Sequence, residues 1–313
     1  MMYPQNASAR ITTEIYYSMS IWEDEVNTFA LTQELETEVL EFLAERPIHT
    51  VALAGLILDN GFDNELNRGT FYGCRNRRGA LEGVALIGHS TLVETRTHRA
   101  LKAFAQLAKN CTTAHLIMGE EERIAEFLSY YSDGGQELRH ACTEILFELS
   151  WPVQVLPEVL GLRLGTVDDL DLILPIHAQM SFEESGVNPL EKDPVGFRRR
   201  CTRRLEQNRT YVWVEEGKLI FKADIISETT EATYLEGIWV NPEYSGKGYA
   251  LRCLSQLART LLKRSRAICL LANIENGDAQ KFYKRAGFIA RGIYDSIFLM
   301  ESSATTAESS SLH

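Results

Sequence analysis

The stretch Leu235–Asn273, "LEGIWVNPEYSGKGYALRCLSQLARTLLKRSRAICLLAN", constrains the fold more than any other part of the chain. An apolar strand runs into a glycine-bearing turn, a long amphipathic helix follows, and a second apolar strand closes the unit. In the helix, Ala250, Leu254, Leu257, Ala258 and Leu261 share one face. Lys263, Arg264 and Arg266 stand at its end, where cations complement the helix dipole. A strand–helix–strand unit needs a sheet with helices packed on it, which places the chain in the α/β class.

The turn raises a chemical question, because Gly246, Gly248 and Ala250 put small residues where a helix begins and glycine weakens a helix. The first turn of any helix carries N–H groups without intrahelical partners. With the helix dipole behind them, they suit a phosphate group, provided no Cβ blocks the approach. Lys247 adds a cation at the same place. An ordinary tight turn with glycines at positive φ explains the same residues, so the segment alone leaves both readings open. The spacing is neither GxGxxG nor GxxxxGK[ST], which sets aside the dinucleotide and Walker fingerprints.

The rest of the chain has the length of about two domains, 313 residues. A net charge of −11 argues against a nucleic-acid binder working through bulk charge. The six cysteines form no CxxC pair and no zinc spacing, and read as reduced thiols, so no metal is expected. The start "MMYPQNASARITTEIYY" lacks the basic and apolar regions of a signal peptide, and no apolar run approaches the ~20 residues of a membrane span. A cytoplasmic protein without membrane or nucleic-acid partners is expected.

Residues 1–30 show no clear pattern. Helical spacing over Leu31–Arg46 stops at Pro47, and a second helix is expected over His49–Leu58, ending near Gly61. "TFYGCRNRRGALEGVALIGHSTLVET" reads as a hairpin turning at "RNRRG", followed by a helix, a strand, a helix and a strand up to Leu149. "SWPVQVLPEV" reads as a linker. Beyond it come a short strand, a helix that Thr166 caps, the basic helix "PVGFRRRCTRRLEQ", and a hairpin turning at Glu216-Gly217. "GDAQKFYKRAG" is a helix with Gly287 as its C-cap, and "FIARGIYDSIFLM" is the last strand. The divisions are 1–155, 156–300 and a tail, 301–313, whose low apolar content predicts disorder. Both halves run helices, hairpin, helix, strand, helix, strand, which hints at an internal duplication.

Twenty-odd residues past the glycine turn stands "NIENGDAQKFYKRAGF", Asn273–Phe288. The strand "LEGIWVNPEY", the "GKGYA" turn, the strand "ICLLAN" and the pattern N..A..FY...GF together resemble the GNAT superfamily of acyl-CoA-dependent N-acyltransferases. The resemblance covers roughly Leu160–Leu299. The N-terminal half looks like the front portion of a two-domain bacterial subgroup of that superfamily. The implied fold is a mixed, twisted central sheet flanked by helices, joined to an N-terminal α/β companion that is a degenerate GNAT-like domain.

The resemblance implies acetyl-CoA as co-substrate, with its pyrophosphate on the loop Ser245, Gly246, Lys247, Gly248, Tyr249 and Ala250. The pantetheine arm would bond to Ile238 and Val240, beside the strand "AICLLAN" and splayed from it, and to Asn276, which otherwise caps the following helix. The family places Arg or Gln where this chain has Ser245, which weakens the expected grip on the cofactor. Glu236 is the candidate base for an amine acceptor, or else faces solvent or pairs with a basic residue. Tyr283 stands where the family has a tyrosine that protonates the departing thiolate; otherwise it packs beside Phe282. Glu183 and Glu184 are candidate acceptor-binding residues, or a solvated surface. His177 carries no role, and the basic run Arg198–Arg209 reads as a solvated face.

The expected reaction is acetyl transfer to a primary amine by direct attack in a ternary complex. A protein-lysine acetyltransferase and a non-catalytic acyl-CoA-binding module are the alternatives. No phosphate loop appears in residues 1–150, so no second coenzyme A is expected there. The acceptor and the oligomeric state are left open by the sequence.

Overall fold

The computed structural model describes residues 25–300. The tail 301–313 and most of the ambiguous N-terminal stretch lie outside the described residues. The N-terminal half runs β1 (Val26–Ala30), α1 (Glu36–Ala44), α2 (Pro47–Asn60), β2 (Gly69–Asn76), β3 (Leu81–Gly88), β4 (Ser90–Thr95), α3 (His98–Ala108), β5 (Leu116–Glu120), α4 (Glu121–Tyr131) and β6 (Leu138–Leu149). The C-terminal half runs β7 (Leu162–Leu164), α5 (Leu170–Ser185), α6 (Pro189–Lys192), α7 (Pro194–Glu206), β8 (Thr210–Glu215), β9 (Lys218–Glu228), β10 (Ala232–Val240), α8 (Tyr249–Leu261), β11 (Ala267–Asn273), α9 (Gly277–Arg285) and β12 (Ile289–Leu299). Apart from the short α6, the two halves repeat one order of elements.

Local signals explain most boundaries. Pro47 fills the first position of α2, where its missing N–H costs nothing, and Gly61 ends that helix at φ 68°. Thr166 and Asp169 form a reciprocal capping box ahead of α5. Glu216 and Gly217 turn the β8–β9 hairpin at φ 49° and 74°, as a two-residue loop with left-handed positions does. One element departs from the sequence reading. The stretch Thr70–Thr95 was expected as a two-stranded hairpin with Leu81–Gly88 as its second strand, yet the chain turns back at His89, whose N–H donates to the Arg68 carbonyl at 2.8 Å, and β4 becomes a third strand. Gly88 permits the turn, since a Cβ there would run into the backbone of Arg68 and Gly69.

The twelve strands of the described residues form one sheet, ordered β1-β2-β3-β4-β5-β12-β6-β11-β10-β9-β8-β7. Only β4·β5 and β10·β11 are parallel. At the centre the halves exchange their last strands: β12 lies between β5 and β6, and β6 lies between β12 and β11. On one face of the C-terminal half, Cys253, Leu254, Leu257, Ala258 and Leu261 of α8 pack on Phe221, Ile225, Leu235 and Leu270. On the opposite face, α5 and α7 bury Ile173, Leu174, Phe197 and Cys201. Helix α2 reaches across from the N-terminal half to β9, where Gly55 lies so near Ser227 that a Cβ would stand 2.6 Å from that side chain.

Candidate active site

The pairing of β10 with β11 runs from Ala232↔Ala267 to Leu235↔Leu270 and stops there. Beyond that point β11 stays paired with β6 as far as Asn273. Strand β10 stays paired with β9, but through a bulge between Glu236↔Asp224 and Trp239↔Lys222. A bulge bends its strand and increases the local twist. Here it turns the end of β10 away from β11 and opens a slot between the two. Asn241 N–H donates to Ile220 O at 2.9 Å, across β9. Because N–H groups alternate along a regular strand, that of Val240 points the other way, toward the slot.

At the mouth of the slot, Ser245 is extended at φ −63°, Gly246 and Gly248 sit at φ 74° and 79°, and Lys247 between them is not left-handed. Such alternation turns successive N–H groups toward one concavity. The N–H groups of Gly246 to Leu251 meet no acceptor among the described residues. A Cβ on Gly246 or Gly248 would meet nothing within 4 Å. The turn thus takes positive φ at both glycines and leaves a row of N–H groups without acceptors among the described residues. In place of a long polar side chain at Ser245, an aromatic cluster supports the turn. Trp213 lies 5.1 Å from Tyr249 and 6.5 Å from Tyr244, centroid to centroid. The Lys247 ammonium rests 5.0 Å above the Tyr244 ring.

Glu236 is exposed on β10 and accepts a hydrogen bond from the Tyr234 hydroxyl at 2.8 Å. Its neighbours are acids rather than the basic partner the sequence allowed. Glu184, at the end of α5, keeps an open face to solvent. Protein nevertheless surrounds it closely enough that burial, with the charges of Glu236 and Glu144, pushes its pKa up to about 8. Burial pushes Glu144 up to about 7, with the Glu236 charge adding to it and the Ser296 hydroxyl, which donates at 2.9 Å, opposing it. Glu183 turns outward and accepts from Gln179 at 2.9 Å on its own helix.

Tyr283 packs among Phe147, Phe282 and Phe288, and burial pushes its phenol up to about 12. It belongs to the α8 side of the sheet, whereas Glu236 shares a face with Asp224 opposite it, beneath α5. Asn276 accepts from Ala279 N–H at 3.0 Å and so caps α9.

Sequence reasoning missed Glu144 and the group beneath the bulge. Lys222 and Asp224 are both fully buried. The Lys222 ammonium donates to Asp224 Oδ2 at 2.6 Å and to the Gly237 carbonyl at 2.8 Å. His177, given no role from sequence, stands 3.0 Å from Asp224 Oδ2. A lysine two residues before an aspartate in a strand was the available signal, since buried charges persist only when paired. The basic run along α7 is largely engaged at the surface: Arg198 with Asp171, Arg200 with Asp193, and Arg209 with Asp59. Among the described residues no cluster suits a metal ion, and no helix is long and apolar enough to cross a membrane.

Residues 177–288 match the model of the acetyltransferase (GNAT) family. No curated protein sequence matches the chain. Several solved structures share the fold. A GNAT-family acetyltransferase from Colwellia psychrerythraea is 13% identical, over 88% of this chain and 100% of its own, with a TM-score of 0.55. A protein from Drosophila is 13% identical over 88% and 99%, with a TM-score of 0.66. A tandem GNAT protein from the clavulanic acid biosynthesis pathway is 13% identical over 89% and 100%, with a TM-score of 0.52. At these identities the likeness is one of fold, and it spans both halves.

Proposed function

We infer, from a chain whose residues 177–288 belong to the GNAT acetyltransferase family, that the protein moves an acetyl group from acetyl-CoA to a primary amine by direct attack in a ternary complex. One observation carries the reading: the slot between β10 and β11 joins an open row of loop N–H groups at one end to a cluster of carboxylates on one face. The loop from Ser245 to Ala250 holds the pyrophosphate through backbone donors and the Lys247 charge. Ile238 and Val240 offer N–H groups to the pantetheine arm and the thioester carbonyl. Asn276 keeps its cap and offers its amide NH₂ group to the same arm.

Glu236 accepts the proton that the amine must lose before attack. Glu184 and Glu144 stand beside it with raised pKa values, and they gain the charge that draws in a cationic amine as pH rises through about 7 to 8. Tyr283 protonates the departing thiolate from the other face. The buried thiols suit neither an acyl carrier nor a metal: Cys142, the nearest to the carboxylates, is pushed up to about 11 by burial and by Glu144. The acidic recess draws on β6 of the N-terminal half as well as on α5. That supports a compact amine over a lysine on a protein surface. Free cysteines support a cytoplasmic setting.

The test is a thiol-release screen of amines and peptides with acetyl-CoA, with Glu236→Gln and Tyr283→Phe as controls. Release with a small amine that both variants lose supports the reading. Binding of acetyl-CoA without release for any acceptor identifies a non-catalytic module, and full activity in both variants overturns the roles.

A further inference from the structure

The buried Lys222–Asp224 pair sits directly under the bulge that opens the slot. Burying an ion pair within a sheet is expensive, and an apolar pair of similar volume often packs at least as well. Both side chains lie on the same face of β9, two residues apart, and neither is accessible to solvent. Both groups are hydrogen-bonded, the ammonium through two of its three N–H groups. Asp224 Oδ1 accepts from the Thr210 hydroxyl at 2.7 Å, Oδ2 accepts from Lys222 at 2.6 Å and faces His177 Nε2 at 3.0 Å, and Arg204 stands 3.9 Å away. The second bond of the Lys222 ammonium goes to the Gly237 carbonyl, at 2.8 Å.

That carbonyl belongs to the peptide joining Gly237 to Ile238. A trans peptide is planar, with its C=O and N–H pointing in opposite directions. Anchoring the Gly237 oxygen on Lys222 therefore fixes the orientation of this peptide and turns the Ile238 N–H away from that side chain. Donation to the oxygen also polarises the peptide and strengthens its N–H as a donor. Gly237 adopts φ 58°, and a Cβ there would stand 2.6 Å from both Lys222 Nζ and Asp224 Oδ2. The glycine leaves room for this contact as well as for the backbone conformation.

We propose that Lys222, held by Asp224, is a positioning residue that orients and polarises the Ile238 N–H toward the thioester carbonyl. The proposal rests on the acyl-transfer reading above and adds a residue to it.

The test measures acetyl-CoA binding by calorimetry, the carbonyl stretch of bound acetyl-CoA labelled with ¹³C at the acetyl carbonyl, and amine acetylation. It compares the wild type, Lys222→Met, and the double variant Lys222→Met/Asp224→Asn, in which no unpaired charge is left buried. In whichever variants fold, kcat is expected to fall by about 10- to 100-fold, since loss of a donor at such a site costs about 100-fold or more. The dissociation constant for acetyl-CoA should change by less than about 3-fold, because the loop supplies most of the grip. The carbonyl stretch should move toward its value in water. Folded variants that bind acetyl-CoA with an unchanged carbonyl stretch and an unchanged kcat overturn the brace and leave the reaction standing. A wild type that binds acetyl-CoA with its carbonyl stretch already at the solution value overturns the brace as well. A wild type that does not bind acetyl-CoA overturns the reaction, and the brace with it.

Discussion

Three carboxylates at one place, Glu144, Glu184 and Glu236, give the protein a pH signature. Burial and mutual repulsion push Glu184 up to about 8 and Glu144 up to about 7. Acetylation should therefore rise with pH across about 6 to 9, as the cluster loses its protons. Glu184→Gln removes one of the charges and should shift the rise in kcat/KM to lower pH, which a pH–rate profile with one fixed amine would show. Stability should follow the opposite course. A carboxyl whose folded pKa lies above its unfolded value adds no penalty at low pH, and destabilises as pH rises from the unfolded value through the folded one. Glu184→Gln should then leave the melting temperature unchanged near pH 4 and raise it near pH 9. After discounting for the solvent that still reaches Glu184, the gain is about 1 kcal/mol, or about 2 °C. Glu236→Gln should lower kcat by about 100-fold or more, and Tyr283→Phe by up to about 100-fold, in steady-state assays. Glu236 and Tyr283 were singled out from the sequence because they stand in the stretches that carry the family resemblance. Glu144 was not, because it lies in a strand of the other half and reaches the cluster only through the pairing of β6 with β11 and β12.

The glycine turn and the bulge act at the scale of single elements. Gly248 begins α8 from a left-handed conformation, at φ 79° and ψ 0°. Gly248→Ala should cost about 1–2 kcal/mol of stability through that conformation alone. It should weaken acetyl-CoA binding by more than that cost implies, because the new methyl group stands where the pyrophosphate approaches. Parallel melting and calorimetry separate the two effects. The turn was readable because strand, small residues and amphipathic helix follow one another in sequence. The bulge was only partly readable. A glycine inside a strand signals a bulge, but the direction of the Gly237 carbonyl depends on Lys222, which belongs to the neighbouring strand. Strand β4 was lost for a related reason: one histidine separates two apolar runs, and only the Gly88 contact with Arg68 and Gly69 shows where the chain reverses.

Across the whole molecule, the N-terminal half repeats the slot and closes it. Pairing of β4 with β5 ends at Leu92↔Met118, as pairing of β10 with β11 ends at Leu235↔Leu270. There Arg123 donates to the Thr95 carbonyl, and Arg46 joins Glu94 to Glu120, its bond to Glu120 being 2.7 Å. The cavity left, bordered by His49 and Tyr294, holds about 40 Å³, space for a water but not for a pantetheine arm. Between β4 and α3 stand only Arg96 and Thr97, without a glycine turn. Calorimetry should accordingly give one acetyl-CoA bound per chain. The exchanged strands carry a second expectation. Expressed without its partner half, residues 156–300 lack β6 and would leave edges of β11 and β12 unpaired. That fragment should be insoluble, and co-expression with residues 1–155 should restore a soluble complex. The sequence by itself determined the alternation of strand and helix, the repeated order of elements and the glycine turn that starts α8, because each rests on residues close together along the chain. Only the tertiary structure decided that the last strands cross between halves, that one slot is open and the other filled, and that Lys222 stands against Gly237 and Glu144 near Glu236. Each of these depends on groups that come together only when distant segments share one sheet.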